Sequence, residues 1–168
     1  NPEEVLGFRL PTESEWEYAA NGGENGEKFK FSGSNNLNEV GWFIDNSNKE
    51  LQEVARKNPN DLNIYDMSGN VCEWCSDVFA NYDHKEKTNP YRGYGGMNKV
   101  VRGGSWYSFE QSCKIVMRGF GLPANKDNCV GFRLVINRVY KDYNNYETCH
   151  HAALFYAIYW LFPDDGSC

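Results

Sequence analysis

Apolar residues in this chain fall in short bursts separated by turn formers, not in long periodic runs. Leu10-Pro11-Thr12-Glu13-Ser14-Glu15 has the form of a helix start. Thr12 is placed to cap it and Glu15 to complete a capping box. Trp16, Ala19 and Ala20 then share one face, and Asn21-Gly22-Gly23 supplies the stop. Glu13, Glu15 and Glu17 suit the positive end of the helix and read as structural. Asn25 to Asn38 reads as a polar surface loop. Glu39 to Ile44 is a short apolar run, predicted as a strand or a buried turn. Turn chemistry returns at Asp45 to Lys49 and at Asn58-Pro59-Asn60-Asp61.

Two later runs read as strands: Lys99 to Arg102 and Gly131 to Ile136. In the second, Phe132, Leu134 and Ile136 alternate onto one side. Between these runs lies an irregular segment, Arg102 to Val135, bounded by Arg102-Gly103-Gly104-Ser105-Trp106 and Gly131-Phe132-Arg133-Leu134-Val135. Loop residues on a fixed frame are displayed rather than packed, so function is sought there. The tail after Arg138 differs in character. Val139 to Cys149 is polar and tyrosine-rich, and Ala152 to Phe162 is apolar, an expected helix or sheet-edge strand. The tail is expected to be a poorly ordered appendage.

The length of 168 residues fits one domain with a real core. Aromatic residues reach 15%, which favours a fold packed with large rings or a surface presenting them. A formal charge of -6 with no basic stripe argues against a nucleic-acid partner. The apolar runs are all shorter than the roughly 18 residues a spanning helix needs. The first residue is Asn1, and the natural start is expected to lie upstream, so the compartment stays undecided. The six cysteines match no small disulfide scaffold. Cys72-Glu73-Trp74-Cys75 has the spacing of a redox pair or half a zinc site, but no second such pair exists, so two structural cysteines are expected. His150-His151 beside Cys149 would complete a site only by folding back. His84 lies in a polar loop and is expected to be solvated, and Arg102 and Arg133 are expected in internal salt bridges.

Three blocks occur in order: Gly7-Phe8-Arg9-Leu10-Pro11-Thr12-Glu13-Ser14-Glu15-Trp16-Glu17-Tyr18-Ala19-Ala20, Tyr65-Asp66-Met67-Ser68-Gly69-Asn70-Val71-Cys72-Glu73-Trp74, and Arg102-Gly103-Gly104-Ser105-Trp106 with Gly131-Phe132-Arg133-Leu134. Together they resemble the formylglycine-generating enzyme, or sulfatase-modifying factor, family. The resemblance covers about Gly7 to Ile136. It implies an α+β, C-type-lectin-like fold with little regular secondary structure, several short strands and few helices. It divides the chain into a family domain over 1–138, lacking its N-terminal portion, and an extension over 139–168.

The family includes copper-dependent oxidases that convert a sulfatase cysteine to formylglycine. It also includes ligand-binding members, some diversified by retroelements. Catalytic members hold copper(I) between two cysteines, at the positions of Ser108 and Cys113 here. A serine hydroxyl is hard and protonated, so copper is not expected and Cys113 would be catalytic only in an enzyme reading. Cys113 otherwise reads as a small buried hydrophobe, with a Cys113–Cys129 disulfide left open. The resemblance also implies a structural calcium ion held by the carboxylates of Asp66 and Glu73 and the carbonyls of Gly69 and Val71, all oxygen donors. Against it, Asp66 and Asn70 would only cap the turn.

The favoured reading is a non-catalytic module binding a protein or small-molecule ligand. Its expected surface is Tyr107, Ser108, Phe109, Glu110, Ile115, Met117, Phe120, Leu122, Asp127 and Asn128, rings offering large contact area at low entropic cost. Two readings remain open beside it: a sulfatase-modifying oxidase with a second soft ligand supplied in three dimensions, and a partial inactive copy.

Overall fold

A computed structural model describes residues 7–82, 88–136 and, for the backbone, 154–157. The capping box forms as the sequence predicts. The Thr12 side chain accepts the Glu15 N–H at 3.2 Å and the Glu15 carboxylate accepts the Thr12 N–H at 2.8 Å, opening helix α1, Glu13–Ala20. Asn21 closes it. Trp16, Ala19 and Ala20 are buried and pack with Met67, Cys75, Val100 and Ile115.

Two small sheets organise the rest. In the first, strand β1 (Phe8–Arg9), strand β6 (Arg133–Ile136) and strand β7 (Leu154–Ala157) lie side by side, antiparallel throughout. β7 belongs to the tail, so part of the apolar run Ala152 to Phe162 is a sheet-edge strand, one of its two expected forms. In the second, the order is β4 (Arg118–Gly121), β3 (Lys99–Arg102), β2 (Cys72–Val78), β5 (Val130–Gly131). β5 runs parallel to β2 and the other pairs are antiparallel. This α+β arrangement, with two curled sheets and few helices, is the expected C-type-lectin-like class.

Two expectations change. Glu39 to Ile44 is not a strand: its first residues end a short helix, α2 (Leu37–Val40), which buries Leu37 and Val40, and the turn that follows buries Phe43, in keeping with the buried-turn alternative. Asn36 caps it, a signal hidden in the polar loop. Gly131 to Ile136 is not one strand. It breaks at Phe132, giving β5 to one sheet and β6 to the other. Its most buried positions are also not Phe132, Leu134 and Ile136, which are only half-buried, but Arg133 and Val135.

The inward arginine has a buried partner. Arg133 Nε and one terminal nitrogen each lie 2.6 Å from separate oxygens of Glu73, which is 0% exposed. The Trp16 indole N–H donates to the same carboxylate at 2.6 Å. Helix α1, β2 and β6 therefore meet at one carboxylate. A second network lies beside it. Glu13 takes Arg118 through two hydrogen bonds of 2.6 Å, and buried Arg102 reaches Glu13, Glu17 and the Ile115 carbonyl. The α1 glutamates that read as helix-dipole residues are thus also ion-pair partners.

Removing one partner of a buried pair leaves an uncompensated charge, costing about 3–5 kcal/mol. Glu73→Ala is therefore expected to lower the unfolding free energy by about that amount in urea titration. Thr12→Ala is expected to cost only about 1 kcal/mol by the same measurement.

Candidate functional site

Chain leaving β3 makes a tight turn through Gly103 and Gly104, both left-handed at φ 93° and 72°. A Cβ on Gly104 would lie 2.7 Å from the Cys113 sulfur, so only glycine lets the turn and the Cys113 segment touch. The Ser105 N–H donates to the Ser108 hydroxyl at 3.0 Å, and the two hydroxyls are also 3.0 Å apart. Ser108 thus closes the turn in which it sits. Its carbonyl accepts the Ile44 N–H, tying the turn to the α2 region.

Cys113 ends a 3₁₀ turn, Glu110–Cys113, and is 0% exposed. It packs with Phe31, Leu37, Val40 and Phe43. Burial, with the nearby Glu110 charge, pushes its thiol up to about 12, so almost none is thiolate at neutral pH.

Most of the expected surface is outside. Tyr107, Phe109, Met117, Phe120 and Leu122 are exposed, Phe109 at 70%. Glu110, Asp127 and Asn128 are exposed as well, and Ser108 is half-buried. Ile115 is the exception: it is 2% exposed, belongs to the α1 core, and leaves the surface set. Its neighbour Val116, which the sequence reading passed over, is 71% exposed. Nothing in the local pattern separates Ile115 from Val116. Tertiary contacts do: the Ile115 N–H donates to the Lys30 carbonyl at 3.0 Å, its carbonyl accepts from Arg102 at 2.9 Å, and its side chain packs in the α1 core.

The 66–73 turn is built on left-handed residues, Asp66, Gly69 and Asn70. A Cβ on Gly69 would meet the Trp42 carbonyl at 2.2 Å, which only glycine avoids. Asp66 is buried: one oxygen accepts the Ala55 N–H at 2.7 Å, and the other has no hydrogen-bond partner among the described residues. Burial raises its carboxyl above the ordinary range, the Ala55 hydrogen bond and Arg133 offsetting this only in part. Asn70 does more than cap the turn: its side chain exchanges two hydrogen bonds with the Gln52 backbone, at 3.1 Å each. For a calcium ion the orphaned Asp66 oxygen fits. Glu73 fits poorly, since both its oxygens already serve Arg133 and Trp16. Among the described residues, no group of three or more His, Cys, Asp or Glu side chains is placed to hold a metal ion.

Cys72 and Cys75 stand three positions apart on β2, where side chains alternate, so they point to opposite faces. The Cys-x-x-Cys spacing therefore brings no pair together. Cys75 is buried against α1, and burial drives its thiol well above the ordinary value. Burial pushes the Cys72 thiol up to about 12, with small further contributions from Cys113 and Cys129. His84, Cys149, His150, His151 and Cys168 lie outside the described residues.

A cleft of about 460 Å³, absent from the sequence reading, opens beside α1 between Glu13, Glu17, Tyr82, Tyr91, Arg92 and Arg118. Asp77 at its floor is held by the Glu13 and Arg92 backbone N–H groups at 2.8 and 2.9 Å. Burial still raises its carboxyl above the ordinary range.

With this geometry in place, comparison with known proteins is specific. Residues 3–138 match the family model described as the sulfatase-modifying factor enzyme 1-like domain. The chain is 35% identical over 130 residues to the chaperone protein LppX of Paenibacillus barcinonensis, covering 67% of this chain and 43% of that one. It is 30% identical over 146 residues to the formylglycine-generating enzyme of Streptomyces coelicolor, covering 76% and 46%. Among solved structures, Treponema denticola variable protein 1 superposes with a TM-score of 0.70 at 38% identity, over 78% of this chain and 48% of that one. The chain thus spans under half the length of each of these relatives. The chain belongs to the sulfatase-modifying factor enzyme 1-like family.

Proposed function

We propose that this domain is a non-catalytic binding module that presents the 107–128 surface to a protein or small-molecule ligand. The observation that carries the reading is the state of the two positions where oxidase members keep their thiols. Ser108 is spent on closing its own turn, and Cys113 is sealed at 0% exposure. Around them Tyr107, Phe109, Val116, Met117 and Phe120 stand exposed. Exposed rings and methionine at such density are costly for a surface with no partner. The likeness to a protein named as a variable protein supports retroelement diversification of this surface, which a reverse transcriptase gene beside the coding sequence would establish.

A structural calcium ion at the 66–73 turn belongs to the same proposal. It rests on the buried Asp66 oxygen, with the carbonyls of Gly69 and Val71 as further donors and Glu73 contributing only if Arg133 yields it.

Copper(I) titration against a competing chelator is expected to give no tight stoichiometric complex. Tight binding lost in Cys113→Ala would favour the oxidase reading instead. On an array of peptides and glycans, bound signals are expected to disappear in the double variant Tyr107→Ala/Phe109→Ala. Its melting temperature should remain within a few degrees of the parent, since exposed positions cost about 0.5 kcal/mol or less. Signals that survive the double variant would remove this surface from the proposal. Adding calcium to chelator-treated protein is expected to raise the melting temperature, and Asp66→Ala to abolish the rise. Equal melting with and without calcium sinks the ion.

A further inference from the structure

The strand that leads into the 122–128 loop leaves half of its backbone unused. β4 is the outer strand of its sheet, paired with β3 alone. Which of its groups face outward follows from β2. The Val78 N–H turns away from β3 to the Arg92 carbonyl at 2.7 Å, and the Phe79 N–H donates to the Asn98 carbonyl at 2.9 Å. In an antiparallel ladder, hydrogen-bonded and non-hydrogen-bonded pairs alternate. Val78 and Lys99 are therefore a non-hydrogen-bonded pair, and Lys99 turns its N–H and C=O to β4. Lys99 is level with Gly121, and Val101 with Gly119, so these pairs carry the bonds between β3 and β4. The N–H and C=O of Arg118 and Phe120 point away from β3, with no partner among the described residues.

This edge is short, but it has none of the other usual protections. It holds no proline, its register is unbroken, and its single charge, Arg118, is turned back onto Glu13. Gly119 and Gly121 leave one face bare. The benzo end of the half-buried Trp74 ring reaches across β3 to lie over Gly121, where a Cβ would meet it at 2.7 Å. On the other face Phe120 is 58% exposed, its ring centre 4.8 Å from that of Phe79. Exposed Met117 and Leu122 flank the strand. We infer that an extended peptide segment of a partner protein adds to this edge as a fifth strand, setting a large apolar side chain against Trp74. This rests on the reading of the 107–128 surface as a binding surface and names the form of what binds there. An extended backbone serves both outward N–H groups and both outward C=O groups at strand spacing. A residue level with Gly121 forms a non-hydrogen-bonded pair with it, the kind whose side chains lie closer. Glycine leaves the space there, and the Trp74 ring supplies the contact. A second copy fits worse: a stable interface takes roughly 800 Å² from each partner, far more than a four-residue edge offers.

Random linear peptides displayed on phage are selected against the full chain, and the tightest binder is synthesised. Amide hydrogen exchange is then read by NMR with and without it. Alone, the Arg118 and Phe120 amides should exchange freely while those of Gly119 and Gly121 are protected. The peptide should slow the first pair by about tenfold or more. Phe120→Pro removes an outward N–H and leaves the β3 bonds intact, so it should fold and melt like Phe120→Ala. It should bind the peptide about tenfold more weakly than Phe120→Ala does, since a peptide carbonyl loses its donor. On the peptide side, N-methylation at alternate residues should abolish binding in one phase of the alternation and spare it in the other. Equal binding by the two Phe120 variants, or by all the N-methylated peptides, overturns the inference. So does a selection that yields no binder. Protection of Phe120 that rises with protein concentration alone also overturns it, by putting a second copy on the edge. Binding lost in Tyr107→Ala/Phe109→Ala but unchanged in Phe120→Pro would keep the display surface and remove the strand.

Discussion

Glu73 is the point on which the rest of this structure depends. A carboxylate held charged in a protein interior costs several kcal/mol unless it is paired and hydrogen-bonded. Here Arg133 supplies the charge and Trp16 the third hydrogen bond. Because the three residues come from a helix and from strands in two different sheets, satisfying one carboxylate fixes the relative placement of all three. The same residue is level with Arg102 on one side and Gly131 on the other. Both ends of the segment between Arg102 and Gly131 are thus set from Glu73. The family signature around Trp16, Glu73 and Gly131-Phe132-Arg133 is therefore less a catalytic motif than the joinery of the fold.

Much of that joinery is legible in the chain. Thr12 and Glu15 announce a capping box because both halves are local in sequence and need no tertiary information. The frame strands show as apolar runs, and Arg102 and Arg133 read as internal ion-pair residues before any coordinates exist. What resisted reading was set by distant partners. Alternation pointed Phe132, Leu134 and Ile136 inward, yet a charged residue faces in because its partner waits sixty positions away. Ile115 and Val116 are alike as letters, and only tertiary contacts separate them: Ile115 packs against α1, with its backbone bonded to Lys30 and Arg102. The helical turn at Leu37–Val40 was masked by polar flanks and is too short to show a period.

The site shows the same division. That Ser108 replaces a thiol is visible in the sequence, but its engagement with Ser105 is not. The Cys-x-x-Cys spacing suggested one pair, and strand alternation denies it, while Cys129, fifty-seven positions from Cys72, turns out to be its backbone neighbour. Proximity in a fold of this kind follows the pairing of short strands, and such pairing is specified by turns and buried contacts instead of by local spacing. The proposed calcium site stands between the cases: the resemblance names its donors, but the demand Arg133 makes on Glu73 appears only in the fold.

Both ends of the segment between Arg102 and Val130 are clamped to the same strand, on opposite sides of it. Their separation is thus about two strand spacings, roughly 10 Å, whatever the intervening residues do. Closing a loop across a fixed gap grows dearer only with the logarithm of its length, about 0.6 kcal/mol for each doubling. Evolution can therefore lengthen, shorten or rewrite most of this segment without renegotiating the core. The residues that must stay are those that turn inward, Ile115 and Cys113 among them. A scaffold with that division of labour separates what the chain needs to fold from what it is free to vary.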